Sequence, residues 1–185
     1  MNGISRRGLL VSGGAVLGLS ACGNGVGGGG AARLDARVDA TRDFLHQQYP
    51  GTVDLTNKSA GVLYMPLMTE AGFVFGGAYG RGALRINDVT VDYYSATQAS
   101  WGLQIGAQQY AHALFFMTQQ ALANFRASDG WAMGADAKYA TPDQGGSIAA
   151  DTTTTLAPVI ALVFGQAGFI AGATLEGTKY TRIIP

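Results

Sequence analysis

The stretch AGFVFGGAYGRGALRINDVTVDYYS, residues 71–95, decides how the rest of this chain is read. Apolar and small residues alternate up to Ile86, and a second alternating run opens at Val89, so both read as strands. Asn87-Asp88 between them reads as a tight hairpin turn, since both residue types tolerate the left-handed backbone that two-residue hairpins need. Gly72, Gly76, Gly77, Gly80 and Gly82 crowd the first strand, although glycine weakens strands and packs nothing. Such repetition implies bulges, sharp bends, or close approach of another backbone or a ligand. Curling of a small sheet over its helices is the simpler of these readings.

Working outward, GVLYMP (61–66) and WGLQIGAQQ (101–109) read as further strands, the latter alternating Leu103, Ile105 and Ala107 against glycine and glutamine. AHALFFM (111–117) is expected as its partner. Thr118 suits the cap of a helix that turns Ala121, Leu122 and Phe125 inward and ends at Ser128-Asp129-Gly130. WAMGADAKYA (131–140) reads as a strand and 142–155 as loop. The tail from Thr152 to Leu175 carries no charge, so its length alone admits a membrane-spanning helix. Pro158, the β-branched residues and GQAG (165–168) favour two buried strands, VIALVF and FIAGATL, with a last strand near KYTRII.

Upstream, residues 31–49 form an amphipathic helix whose apolar stripe is Leu34, Val38, Leu45 and Tyr49. Pro50-Gly51 stops it, and a short helix is expected over Asp54–Ala60. Charge on the first helix is sorted: Arg33 and Arg37 share a flank with Phe44, whereas Asp35, Asp39 and Asp43 form a column opposite. The expected fold is α+β and sheet-dominated: a mostly antiparallel, strongly curved, glycine-rich sheet with this N-terminal helix and one or two further short helices. The Arg33/Arg37/Phe44 flank is either a solvated helix face or a contact for lipid headgroups.

The N-terminal end predicts an address. Arg6-Arg7 followed by an uncharged apolar run to Leu19 has the layout of an export signal over 1–21, with a twin-arginine flavour that leaves the Sec and Tat routes open. Leu19-Ser20-Ala21-Cys22 looks like a lipobox, with Cys22 as the nucleophile that takes the acyl anchor. Residues 22–30 then form a glycine-rich tether, with 31–185 as the domain. Cys22 is the only cysteine among 185 residues, so an intramolecular disulfide is excluded. Without Arg6 and Arg7, ten basic residues face twelve acidic ones. That balance gives no reason to expect nucleic acid as a partner.

Motifs for chemistry are scarce. There is no P-loop, GxSxG elbow or dinucleotide fingerprint in its required context, and no zinc-spaced Cys/His set, so neither enzyme activity nor a cofactor or metal is expected. His46 and His112 stand without a motif. Arg81 and Arg85 either meet anionic headgroups or pair with Glu70, Asp88, Asp92 or Glu176. Glu176, alone after the uncharged run, calls for a partner such as Arg81 or Lys179 if it is buried.

AGFVFGGAYGRGAL, YYSATQASWGLQIGAQ, FMTQQALANFRASDGW and AGATLEGTKYTRI together resemble the SYLF, or Ysc84-related, domain family. The block Gly76, Gly77, Gly80 and Gly82, then Ser100-Trp101, Gly106, the Trp131 strand and Leu175-Glu176-Gly177, follow the family's order, and bacterial lipoprotein members are closest. The resemblance implies phospholipid binding, actin binding in eukaryotic relatives, and no catalytic residues. The aspartate column departs from the basic surface of the eukaryotic members. The expected function is therefore a membrane-anchored, non-enzymatic phospholipid-binding lipoprotein of the bacterial envelope, on the periplasmic face of the outer membrane. The alternative is a scaffolding envelope lipoprotein that binds another protein.

Overall fold

The computed structural model describes residues 29–72, 75–101, 106–134, 137–142, 148–149, 157–165, 168–169 and 175–185. The leader, Cys22 and most of the tether lie outside the described residues, as do Leu103 and Ile105.

The chain begins with helix α1 (Gly30–Gln48), which buries Leu34, Val38 and Leu45 on the expected stripe. Pro50 ends it and caps α2 (Gly51–Lys58), so the second helix starts three residues earlier than the predicted Asp54. The reason is local: the buried Thr52 hydroxyl donates to the Tyr49 carbonyl at 2.7 Å, joining the helices without a linker. Helix α3 (Gln119–Ala127) follows the prediction, with Thr118 Oγ1 accepting from Ala121 N and Leu122 and Phe125 buried.

The sheet is built from β1 (Gly61–Gly72), β2 (Phe75–Ile86), β3 (Val89–Trp101) and β4 (Gly106–Phe116), then β5 (Trp131–Ala132), β6 (Ala137–Tyr139), β9 (Val159–Gly165), β10 (Gly168–Phe169) and β11 (Lys179–Ile183). Its order is β10-β9-β4-β1-β2-β3-β11-β5, and β6 also pairs with β9. All pairings are antiparallel except β6 with β9. The result is an α+β fold with a strongly curled half-barrel sheet and an N-terminal helix. β7 (Thr141–Pro142) and β8 (Ile148–Ala149) form a separate small pair, β7 at the edge of the 142–155 segment expected to be loop and β8 within it. Among the described residues, no helix is long and apolar enough to cross a membrane. Val159–Gly165 of the uncharged tail is a strand buried throughout.

Three strand expectations need correction. β1 does not stop at Pro66 but runs to Gly72, because a bulge between Tyr64 and Leu67 absorbs the missing proline N–H. AHALFF is not a hairpin partner of WGLQIGAQQ. Gly106–Phe116 is one strand, held between β1 and β9, while Trp101 ends β3. WAMGADAKYA divides into β5 on β11 and β6 on β9.

The glycine block faces the β1 bulge. A Cβ on Gly82 would strike the Tyr64 carbonyl and the Met65 sulfur, and one on Gly80 the Leu67 carbonyl and the Met68 sulfur. These two glycines let β1 press across β2 where the sheet curls. Gly76 and Gly77 pair with Ser100 and Ala99 further along the same hairpin. Asn87 and Asp88 make its turn, with φ of 50° and 62°, as a type I′ turn requires.

Each face of the sheet carries its own buried apolar cluster. On one face α1 packs through Val38 and Leu45 over Val62, Phe115, Ile160 and Phe164. On the other, Leu122 and Phe125 of α3 join Leu63, Leu84, Tyr94, Phe116 and Tyr180.

Candidate functional site

The charge sorting on α1 acquires its meaning where the helix meets the β2–β3 hairpin. Asp35 accepts hydrogen bonds from Thr90 Oγ1 and Tyr93 Oη, both at 2.8 Å. Arg85, with only 12% of its side chain exposed, reaches Asp39 at 2.9 Å and Asp35 at 3.8 Å. It also donates to the Asp88 carbonyl at 2.8 Å. Arg42 contacts Asp43 at 2.9 Å, Asp88 at 3.2 Å and Asp39 at 3.8 Å. A register shift between Leu84 and Arg85 makes this possible, since β3 gains a residue there and turns Thr90 and Tyr93 to the same side. Burial, then the Asp35 bond, pushes the Tyr93 hydroxyl up to about 12. Arg85 is therefore a tie between helix and sheet. Its main partners are the α1 aspartates, which sequence reasoning did not consider for it.

The opposite flank of α1 is arranged differently. Arg33 and Arg37 line a cleft of about 310 Å³ whose far wall is Pro66, Leu67 and Thr69 of β1 and Tyr79 and Arg81 of β2, and Pro185 closes its end against Gly30. Among the described residues, three arginines and no aspartate or glutamate line it. Arg81 Nε donates to Tyr79 Oη at 3.1 Å, which holds the guanidinium along the strand. Leu67 and Tyr79 are 38% and 49% exposed, so the cleft offers apolar and aromatic surface beside its cations. The structure thus brings Arg33, Arg37 and Arg81 together and takes Arg85 away to the helix tie.

A second cavity of about 430 Å³ continues along α1. Ala40, Thr41 and Phe44 form one wall, and Pro66, Ala111, Phe164 and Gly165 form the other. Phe44 stacks on Phe164 with ring centroids 6.2 Å apart. Both cavities lie within about 300–1,000 Å³, the range of small-molecule sites.

The other singled-out residues have local roles. Gly177 has φ of +75°, so glycine is required at the turn before β11. Glu176 on that turn is exposed rather than buried, and its carbonyl accepts from Gln98 Nε2 at 3.1 Å. Trp101 is the register partner of Phe75, and Gly106 that of Gly72. His46 is half-buried, 3.2 Å from Thr56 Oγ1, and burial and the nearby Arg42 lower its pKa. His112 is fully buried, 2.8 Å from Tyr180 Oη, and burial lowers its pKa to about 3. Neither histidine lines either cavity. Among the described residues, no group of three His, Cys, Asp or Glu side chains is placed to hold a metal ion.

Fold and site together define a class: a half-barrel α+β domain that lays a charge-sorted helix across one sheet face, beside an arginine-lined cleft. Residues 97–182 match the family model described as Ysc84, Las17-binding protein actin regulator. That segment places this part of the chain in the SYLF, or Ysc84-related, family. No curated protein matches the chain. The matched segment runs from within β3 to β11, so Arg33, Arg37, Phe44, Arg81 and Arg85 all lie outside it.

Proposed function

We propose that this protein is a non-enzymatic phospholipid-binding SYLF domain, held at the bacterial envelope membrane by an acyl chain on Cys22 and exported by the 1–21 leader. One observation carries the lipid reading: the acids of α1 are engaged by Arg85, Arg42, Thr90 and Tyr93, whereas Arg33, Arg37 and Arg81 share a cleft that, among the described residues, no aspartate or glutamate lines. A domain that, without Arg6 and Arg7, has ten basic residues against twelve acidic ones can therefore still present a locally cationic surface. Guanidinium forks suit phosphate oxygens geometrically as well as electrostatically. The exposed Leu67 and Tyr79 add an apolar and aromatic contact of the kind found at membrane interfaces.

The acyl anchor supplies membrane residence, so the cleft needs only modest affinity to select among headgroups. Flotation of the full chain carrying Cys22→Ser, with phosphatidylglycerol or phosphatidylcholine vesicles, tests the reading. Each basic residue near an anionic surface contributes about 1 kcal/mol. Replacing Arg33, Arg37 and Arg81 by alanine should then lower partitioning onto phosphatidylglycerol on the order of a hundredfold, with little change in stability. Equal flotation of parent and triple variant would overturn the assignment.

A further inference from the structure

The apolar cavity beside the arginine cleft has no use in a domain that only rests on headgroups. We propose that it seats one acyl chain of an anionic phospholipid whose phosphate lies on Arg33, Arg37 and Arg81, so that the domain takes lipid one molecule at a time. This deepens the phospholipid reading and rests on it.

Continuity supports the arrangement. Pro66 lines both cavities, and the same helix flank carries Arg33 and Arg37 into the first and Ala40, Thr41 and Phe44 into the second. From residue 33 to residue 44 the helix advances about 16 Å, so cationic and apolar seats succeed one another along a single path. The floor of the second cavity is sheet core: Phe164 is 1% and Ala111 9% exposed. A flat membrane surface meets the arginines but cannot fill a groove that reaches down to strand side chains. A flexible hydrocarbon chain can, and among the described residues Thr41 contributes the only polar side chain it would meet. Charge complementarity selects the occupant, because the open end of the apolar seat leads to three cations. That pattern fits a molecule with an anionic head and an apolar tail.

Calorimetric titration of the full chain carrying Cys22→Ser tests this. The probes are dihexanoyl phosphatidylglycerol below its micellar concentration and chain-free glycerophosphoglycerol. The lipid should bind at least about tenfold more tightly than the headgroup. Ala40→Trp, which fills the groove from the exposed helix side, should remove that advantage and leave headgroup affinity unchanged. Thr41→Gln, which sets a longer polar side chain at the groove without adding charge, should do the same if the tryptophan variant misfolds. Headgroup and lipid binding alike, or a lipid advantage that survives both substitutions, would overturn the acyl seat while leaving the arginine cleft standing. Binding of neither probe would overturn both.

Discussion

The two faces of the curled sheet are buried by different means. Under α3 the interface is mainly aromatic: Phe125 lies 4.6 Å from Tyr94, 4.7 Å from Phe116 and 5.4 Å from Trp131 between ring centroids, and Asp92 at its margin pairs with Arg126 at 2.9 Å and Arg182 at 3.5 Å. Its fully buried ionisable pair is held neutral by burial, which lowers the His112 pKa and raises that of Tyr180, and the two share a hydrogen bond at 2.8 Å. Under α1 the core is overlaid by a charged seam, Asp35 and Asp39 to Arg85, and flanked by two open cavities. The contrast is one of proportion: aromatic packing dominates under α3, whereas under α1 a larger set of ion pairs and hydrogen bonds positions the helix. A helix held by its acids is free to turn its arginines outward.

The largest expected effect tests the aromatic face. Unfolded histidine titrates near 6.5, whereas burial lowers His112 to about 3. Between those values the unfolded chain holds the extra proton and the folded chain does not. Stability should therefore fall as pH drops from about 6.5 towards 3, by up to about 1.4 kcal/mol per unit. Urea unfolding at pH 6.5 and 4.5 measures it, and His112→Gln, which keeps a partner for Tyr180, should flatten the difference. An unchanged slope in that variant would mean that acid sensitivity originates elsewhere, and the contrast between the faces would weaken.

Next in size is the glycine contact where the sheet curls. Gly82→Ala drives a methyl group into the Tyr64 carbonyl and the Met65 sulfur, and overpacking of this kind costs about 1–3 kcal/mol. The backbone obstacle puts Gly82 at the upper end. Gly77→Ala is the matched control, since its added Cβ meets the Gln98 carbonyl only at 3.3 Å. Equal melting temperatures for the two variants would remove the account of the glycine block as room for the β1 bulge.

The smallest effect belongs to the charged seam. Arg85→Met keeps the aliphatic stem but releases Asp35 and Asp39, which are 31% and 46% exposed and partly solvated already. About 1 kcal/mol of destabilisation is expected after allowing for that screening. The specific readout is faster hydrogen exchange in α1 than in β4, because the tie joins helix to hairpin. A uniform increase across both elements would show that Arg85 supports the whole domain rather than the helix's seat.

Local features were legible because neighbouring residues set them. The Leu34, Val38 and Leu45 stripe, the Asn87-Asp88 turn, the Thr118 cap and the strand at Val159 each rest on periodicity or on backbone preferences within a few positions. The aspartate column was visible as well, but its purpose was not. Arg85 finds Asp39 only because the hairpin folds beneath α1; of the partners expected for it, Asp88 is met, and through its carbonyl rather than its carboxylate. Proline at position 66 read as a strand end because a bulge in the partner register cannot be inferred from one strand. The same limit hid the division of residues 131–140 between two partners and the meeting of His112 with Tyr180 across 68 positions.

The sequence by itself determined the element types, the glycine-rich curled sheet and the sorting of charge around α1, since these depend on short-range spacing and on side-chain size. Only the tertiary structure decided which charges are consumed and which remain. Asp35 and Asp39 are taken up by groups on β2 and β3, while Arg33, Arg37 and Arg81 come together across α1, the β1 bulge and β2. The physical reason is that an ion pair's worth depends on distance and on exclusion of water, and both are set by packing between segments far apart in the chain.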